Sequence, residues 1–219
     1  MLERLTLSLT HAVWLAEVRK IPVEIAAQAG AVSQGEHLAF EYLRNDVCVM
    51  RKVRREILQD GKSTKTFWIE PKGAALLLWN EDCLSEACSP EAILIICEGE
   101  LDGMSWMVAG ATYVVSVPNG AILAKPGEGD VVPAEDTPFA YLWDGAKLKG
   151  SIDQFAKIII ATDNDERGRV LRGELAIRLG RQRCWFVEYP PGCKDANDVL
   201  MAHGADVLTD ILADARPIV

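Results

Sequence analysis

Residues 157–168 (KIIIATDNDERG) constrain the fold of this chain more than any other segment. Three consecutive isoleucines form a β-branched run, which indicates a strand that is buried on both faces of a parallel sheet. Asp163 and Asp165 follow at the carboxyl end of that strand, and a helical pattern then continues to Gly180. In open α/β sheets, ligands bind at this edge. The segment therefore predicts a strand, an acidic turn and a helix at a binding site.

Three other interpretations of this acidic turn stay open from its own residues. The offsets of its acids and of Gly168 match an EF-hand loop, but Arg167 puts a cation at a ligand position and a strand leads in. A haloacid-dehalogenase-type phosphatase also has a strand followed by DxD, although here Glu166 replaces the usual Thr or Val. Finally, the acids could simply cap the N-terminus of the helix.

Length and composition bound the class of protein. The 219 residues suit one large domain or two small ones, and 49% hydrophobic residues are enough for a core. The six cysteines form no CxxC pair, so we expect reduced thiols without a disulfide framework or a zinc site. The sequence has no stretch of 18 apolar residues and no signal-peptide pattern. We therefore expect a soluble, cytoplasmic protein without a membrane partner.

The charge of the chain is unevenly distributed. The net charge of −9 argues against indiscriminate binding of nucleic acid by the whole surface. Between residues 50 and 75, however, seven basic residues stand against three acids. Five of the basic residues form what we call the basic strip: Arg51, Lys52, Arg54, Arg55 and Lys65. The strip is a candidate for contacts with nucleic-acid phosphates, and a charged strand edge that prevents aggregation explains it equally well.

The order of the predicted elements changes near residue 90. Before it we predict a helix over 10–20, a short helix between Pro22 and Gly30, and four strands. The strands are 38–44 and 47–57, joined by a turn at Asn45 and Asp46, then 64–70 and 74–80. After it, strands at 93–97, 113–117, 157–161 and 184–189 alternate with helices, with a broken helix over 139–155 and a last helix ending near Arg216. Such alternation indicates a parallel sheet with right-handed crossovers.

Acidic residues follow two of the buried strands of this sheet. Glu98 comes after the strand at 93–97, Asp163 and Asp165 after the strand at 157–161, and a KDAND loop at 194–198 follows a third. At one edge these charges would converge, and two like charges ~4 Å apart repel by ~4 kcal/mol at an effective dielectric of ~20. Mg²⁺ removes that repulsion and prefers a few carboxylates, waters and phosphate oxygens. The pattern therefore favours phosphoryl or nucleotidyl transfer.

Longer motifs carry a family resemblance. EGELDG at 98–103 followed by DND at 163–165 resembles the Toprim signature. SVPNGA at 116–121, ATDNDERGR at 161–169 and KDANDVL at 194–200 are similar to the primase part of phage-type primase-helicases and of Twinkle, and more distantly to DnaG-type primases. The resemblance implies an α/β fold: a Toprim domain over 91–219, with a parallel, Rossmann-like sheet flanked by helices. A small α+β subdomain over 1–90 precedes it and carries the basic strip.

The resemblance also implies an activity and its residues. The activity is that of a DNA-directed RNA polymerase that makes short primers on single-stranded DNA from NTPs, with Mg²⁺ or Mn²⁺. Glu98 matches the catalytic acid, and Asp163 and Asp165 match the metal-binding pair. The full metal set would be Glu98, Glu100, Asp102, Asp163, Asp165 and Asp195, with Lys194, Asp195, Asn197 and Arg167 binding the nucleotide and the basic strip facing the template. Alternatively, Asp102, Asn197 and Asp198 only cap helices.

The chain departs from its relatives in two ways. It lacks the cysteine spacing of the zinc module that usually reads the template, and it has no GxxxxGK[ST] motif of an ATP motor. We expect a fragment of a primase-helicase or a stand-alone polypeptide of bacterial or phage origin. It would prime poorly alone and would work with a replicative helicase domain or protein. Toprim nuclease-type phosphodiester hydrolysis and a non-catalytic scaffold that binds nucleic acid are the alternatives.

Overall fold

The computed structural model describes residues 2–59, 62–85, 89–120, 137–142 and 151–218, excepting the side chains of 56–65, 85, 137 and 138. The first of two sheets is antiparallel, in the order β1-β2-β3-β4. Its strands are β1 Ala31–Gln34, β2 His37–Arg44, β3 Val47–Gln59 and β4 Lys62–Glu70. Asn45 and Asp46 turn the β2–β3 hairpin with φ values of 52° and 61°, as a two-residue type I′ loop requires. This hairpin and its turn are confirmed, whereas β1 was not predicted.

Short helices precede this sheet. Helix α1 (Leu9–Val13) passes into a π-helical turn, Trp14–Val18, and α2 (Val23–Gln28) follows Pro22. The two predicted helices are therefore confirmed, with a widened turn in the first that its sequence pattern does not indicate.

The second sheet has the order β6-β5-β7-β8-β9. Its strands are β5 Ile93–Cys97, β6 Tyr113–Ser116, β7 Lys157–Ala161, β8 Cys184–Phe186 and β9 Arg216–Pro217. The first four are parallel, and β9 pairs antiparallel with β8. The helices are α3 Glu100–Val108, α4 Glu166–Leu179, α5 Ala196–His203 and α6 Ala205–Ala213. The mixed α/β class and a largely parallel sheet are confirmed.

Some predicted elements are wrong. Residues 74–80 form no strand, because only Trp79 pairs, in an isolated bridge to Ser116 beside β6. The last helix is two helices, divided at Gly204, whose φ of 86° interrupts helical geometry. Of the predicted broken helix at 139–155, the described parts are a 3₁₀ turn over Thr137–Leu142 and a short helical segment from 151. The rest of that segment lies outside the described residues.

The two sheets share one apolar core. Phe40 and Met50 of the first sheet belong to the same buried cluster as Ile95 and Ile159 of the second. The proposed division at residues 90 and 91 thus separates the sheets along the chain, while apolar packing fixes one sheet against the other. In the described ranges, no helix is both long and apolar enough to cross a membrane.

Candidate active site

The turn after β7 is built around Gly168. Its amide donates to Asp165 Oδ1 at 2.9 Å, so Asp165 is the N-cap of α4. A Cβ at position 168 would collide with the backbone of Asp163, so only glycine fits there. The bond from Gly168 lowers the pKa of Asp165. The capping interpretation is therefore right for Asp165, and the EF-hand is excluded because the strand β7 leads into the turn.

Lys194 connects this turn to the next one along the sheet edge. Its Nζ lies 2.6 Å from Asp163 Oδ2 and 3.2 Å from Asp165 Oδ2. The amide of Asn164 donates to the carbonyl of Lys194 at 2.7 Å. The hydrogen bond and ion pair with Asp163 raise the pKa of Lys194 above its usual range. The ammonium group thus holds the two turns together.

Three carboxylates converge beside Lys194. Asp102 in the first turn of α3, Asp163 after β7 and Asp195 before α5 have oxygens that all lie within 4.8 Å of one another. Burial and then the charges of Asp195 and Asp163 raise the pKa of Asp102 well above its usual range. Burial also raises the pKa of Asp163, outweighing the opposite effect of Lys194. Oxygen ligands that repel one another in this way fit a hard divalent cation.

This group differs from the three acids expected to converge. Of Glu98, Asp163 and Asp165, only Asp163 belongs to it. Asp165 is turned toward the amide that it caps. Glu98 is half-buried at the end of β5, and a Cβ at Gly120 would lie 2.9 Å from its Oε1. Glu98 therefore faces the loop after β6 on the same sheet edge.

Glu100, another expected metal ligand, binds the first sheet instead. Its Oε1 accepts a hydrogen bond from the Tyr42 hydroxyl at 2.6 Å and forms an ion pair with Lys52 Nζ at 2.9 Å. All three groups are buried. A carboxylate in such surroundings needs these partners, so Glu100 acts as a polar link between the two sheets.

The residues expected to cap α5 also have other partners. Asp195 is its N-cap and accepts from the Asp198 amide at 2.8 Å. Asp102 caps no helix of its own, since the N-cap of α3 is Gly99, and it accepts from the Asn197 amide at 3.2 Å. The side-chain amide of Asn197 donates to the Arg19 carbonyl and to Ser105 Oγ. Asn197 therefore connects α3 and the segment before α2 to α5, and its part in nucleotide binding stays a prediction.

The structure divides the basic strip between two faces of the first sheet. Arg51 is 5% exposed and pairs with the buried Glu41 at 2.9 Å, which corrects its expected role as a phosphate contact. Arg55 is exposed on that same face, because side chains alternate along β3. Lys52 and Arg54 lie on the opposite face. The side chain of Lys65 in β4 lies outside the described residues.

A cleft of about 220 Å³ lies between the first sheet and the acidic edge of the second. One wall is cationic and the other acidic. Residues that line it include Arg19, Lys52, Arg54, Phe67, Asp102 and Asp195. Sequence analysis did not find Arg19 or Phe67. The sequence does contain a signal for Phe67: it precedes Trp68 in a strand, and because side chains alternate between the two faces, one of the two neighbouring rings must point away from the core. Arg19 had none.

The comparisons with known proteins agree with this arrangement. Residues 145–200 match the Toprim-like family model. The Primase homolog protein of Arabidopsis thaliana is 33% identical over 185 residues, which are 82% of this chain and 50% of that protein. The Twinkle homolog protein, chloroplastic/mitochondrial, of the same plant is 34% identical over 187 residues, 82% of this chain and 24% of that protein. This chain contains a Toprim-like domain.

A solved structure shares the fold of this chain. The primase fragment of the bacteriophage T7 primase-helicase superposes with a TM-score of 0.61, at 24% identity, over 89% of this chain and 71% of that one. The Toprim chain spans about half the length of one plant relative and a quarter of the other.

Proposed function

We propose that this chain is the RNA-polymerase core of a DNA primase, which joins NTPs into short primers on a single-stranded DNA template. The observation that carries the proposal is the convergence of Asp102, Asp163 and Asp195 beside Lys194, opposite a cationic wall in one cleft. The names of the two plant relatives and of the phage neighbour support primase activity over hydrolysis or a passive scaffold. They also support a helicase domain or protein as its partner.

The three clustered aspartates would hold the Mg²⁺ or Mn²⁺ that the reaction needs. A cation held there would supply neutralisation of the charge that develops on the attacking and leaving oxygens. Lys194, whose side chain is 53% exposed, would turn from Asp163 and Asp165 toward the incoming triphosphate. The exposed Arg167, in the first turn of α4, would be the triphosphate's second cation. We assign to a carboxylate oxygen of Glu98 the proton of the primer 3′-hydroxyl. As the 3′-oxygen bonds to the α-phosphorus, pyrophosphate leaves.

The direct test is templated incorporation of labelled NTPs by the purified chain. We expect weak but measurable synthesis that needs single-stranded DNA, all complementary NTPs and Mg²⁺ or Mn²⁺, and that EDTA stops. Adding a zinc module from a close relative should raise it. Degradation of DNA without incorporation would favour the nuclease alternative. Metal-independent DNA binding with neither reaction would favour the scaffold.

Template binding should depend on salt through Arg54 in the cleft and through Arg55 on the opposite face of the sheet, and Lys65 stays a further candidate contact. Removing the side chain that binds one phosphate of single-stranded DNA should flatten the log–log salt dependence by about 0.7. We therefore expect Arg54→Ala and Arg55→Ala each to reduce the slope by about that amount in anisotropy titrations at several salt concentrations. Arg216→Ala, an exposed arginine in β9, is the matched control. An unchanged slope in either variant removes that residue from the template interface.

A further inference from the structure

Phe67 presents an aromatic ring to the cleft. The residue is 49% exposed and lies in β4, the edge strand of the first sheet. The next residue, Trp68, points to the opposite face and packs against the apolar cluster of Val32, Ala39 and Val53. The ring of Phe67 is therefore not needed to close a core. Lys52 Nζ lies 4.8 Å from the centre of that ring.

Arg54 lies directly beside Phe67. The two residues are cross-strand partners in β3 and β4, so their side chains share one face of the sheet. The guanidinium carbon of Arg54 also lies 5.3 Å from the ring centre of Trp14. Arg54 thus stands between an exposed ring and a second ring that fixes its position.

Trp14 holds a second arginine as well. The guanidinium carbon of Arg19 lies 4.9 Å from the same ring centre. Arg19 Nη1 donates to Asn197 Oδ1 at 3.0 Å, whereas its buried Nε has no hydrogen-bond partner among the described residues. Trp14 begins the π-helical turn and Arg19 follows its end. Such turns are frequent at functional sites, and this one places two cations on one ring.

Three features together match the chemistry of a nucleic-acid strand: two arginines on one ring, an N–H on one of them that is unpaired within the described ranges, and the half-exposed ring of Phe67 beside them. Bases of any sequence stack on an aromatic face, while backbone phosphates bind arginine. Asp102 and Asp195 on the facing wall would keep the phosphates on the cationic side. A free nucleotide could also bind the two arginines through its phosphates. A ring and two cations arranged in succession, however, fit a polymer with successive bases and phosphates better than a single nucleotide.

We propose that the cleft binds single-stranded DNA with one base stacked on Phe67 and the adjoining phosphates on Arg19 and Arg54, which Trp14 holds in place. Only the orientation of this strand toward the clustered aspartates rests on the proposed primase function. The stacked base would be a template base close to the reacting nucleotide.

The test compares an ordinary oligodeoxynucleotide with an abasic one of the same length. We expect Phe67→Ala to weaken binding of the ordinary strand by about 5- to 150-fold, the range for loss of one base–aromatic stack. Phe67→Tyr should bind normally and Phe67→Leu should fall between. None of the three changes should alter binding of the abasic strand. Leu9→Ala, at a residue 81% exposed and outside the cleft lining, is the matched control.

Arg19→Gln tests the phosphate part of the same proposal. It should weaken both strands alike and flatten their log–log salt dependence by about 0.7. The proposal is overturned if Phe67→Ala binds the ordinary strand as wild type does, or if it weakens both strands equally. If binding depends on the base but no NTP is incorporated, the primase function is refuted and the proposed binding mode is kept. If NTPs are incorporated but binding does not depend on the base, the binding mode is refuted and the primase function is kept.

Discussion

Asp102→Asn and Asp163→Asn are each expected to lower metal-dependent nucleotide incorporation by about 100-fold or more. Loss of a group that only supports a metal ligand typically costs about 10- to 100-fold in affinity or activity, and these carboxylates would be ligands themselves. Both belong to the group whose oxygens lie within 4.8 Å of one another. Incorporation at saturating NTP, measured across a range of Mg²⁺ and Mn²⁺ concentrations, gives the change.

The same variants should not unfold the protein, and this separates loss of metal from loss of fold. Burial raises the pKa of both carboxyls, so the folded protein binds more protons than the unfolded chain above the unfolded pKa of about 3.9. The charged carboxylate therefore destabilises the metal-free fold increasingly as the pH rises from there toward the folded pKa. At pH 7, metal-free Asp102→Asn should be more stable than wild type, and the difference should vanish below about pH 4.

Glu166→Gln is the matched control for these two variants. Glu166 is an exposed acid in the first turn of α4, one residue after Asp165. Its replacement removes a charge close to the site without touching the cluster, and incorporation should stay within about twofold of wild type. Wild-type activity in Asp102→Asn or Asp163→Asn would refute the assignment of these aspartates as metal ligands.

The sequence indicated which edge of the sheet carries the acidic side chains, but it did not indicate which of their carboxylates cluster. The isoleucine run placed β7, and the general rule for parallel sheets placed the acids of β5 and β7 at one edge. Which carboxylates meet there depends on what else competes for them. Asp165 accepts a hydrogen bond from the amide of Gly168. Asp102, in the first turn of α3, accepts one from the Asn197 amide. Neither contact follows from spacing along the chain.

Arg51 is separated from the rest of the basic strip by the register of the β2–β3 hairpin. A two-residue turn at Asn45 and Asp46 would place Glu41 opposite Met50 if the hairpin were regular. An irregularity between Tyr42 and Leu43 shifts the pairing by one residue, so that Glu41 lies opposite Arg51. A buried acid and a buried base then meet, and Arg51 is withdrawn from the surface. A bulge of this kind has no signal in the alternation of the sequence.

The largest stability effect is therefore expected at Arg51. Its Nη2 donates to Glu41 Oε1 at 2.9 Å and to the Glu3 carbonyl at 2.5 Å, and both side chains of the ion pair are almost fully buried. Removing one partner of a buried ion pair leaves an uncompensated charge and costs about 3–5 kcal/mol. Arg51→Ala should lower the free energy of unfolding by an amount near the lower limit of that range, because the half-exposed Arg4 still contacts Glu41. Denaturation by urea at neutral pH measures it.

Two further variants distinguish a buried ion pair from a general effect of losing positive charge on β3. Arg55→Ala, on the same strand and face but exposed, should change stability by no more than about 0.5 kcal/mol. Adding Glu41→Gln to Arg51→Ala removes the stranded charge, so the double variant should be more stable than Arg51→Ala alone. If the double variant is the less stable of the two, burial of unpaired charge is not what Arg51 prevents. The folded fraction of Arg51→Ala should also keep the wild-type salt dependence of DNA binding, because a side chain enclosed by Glu41 and Glu3 releases no counterion from a phosphate.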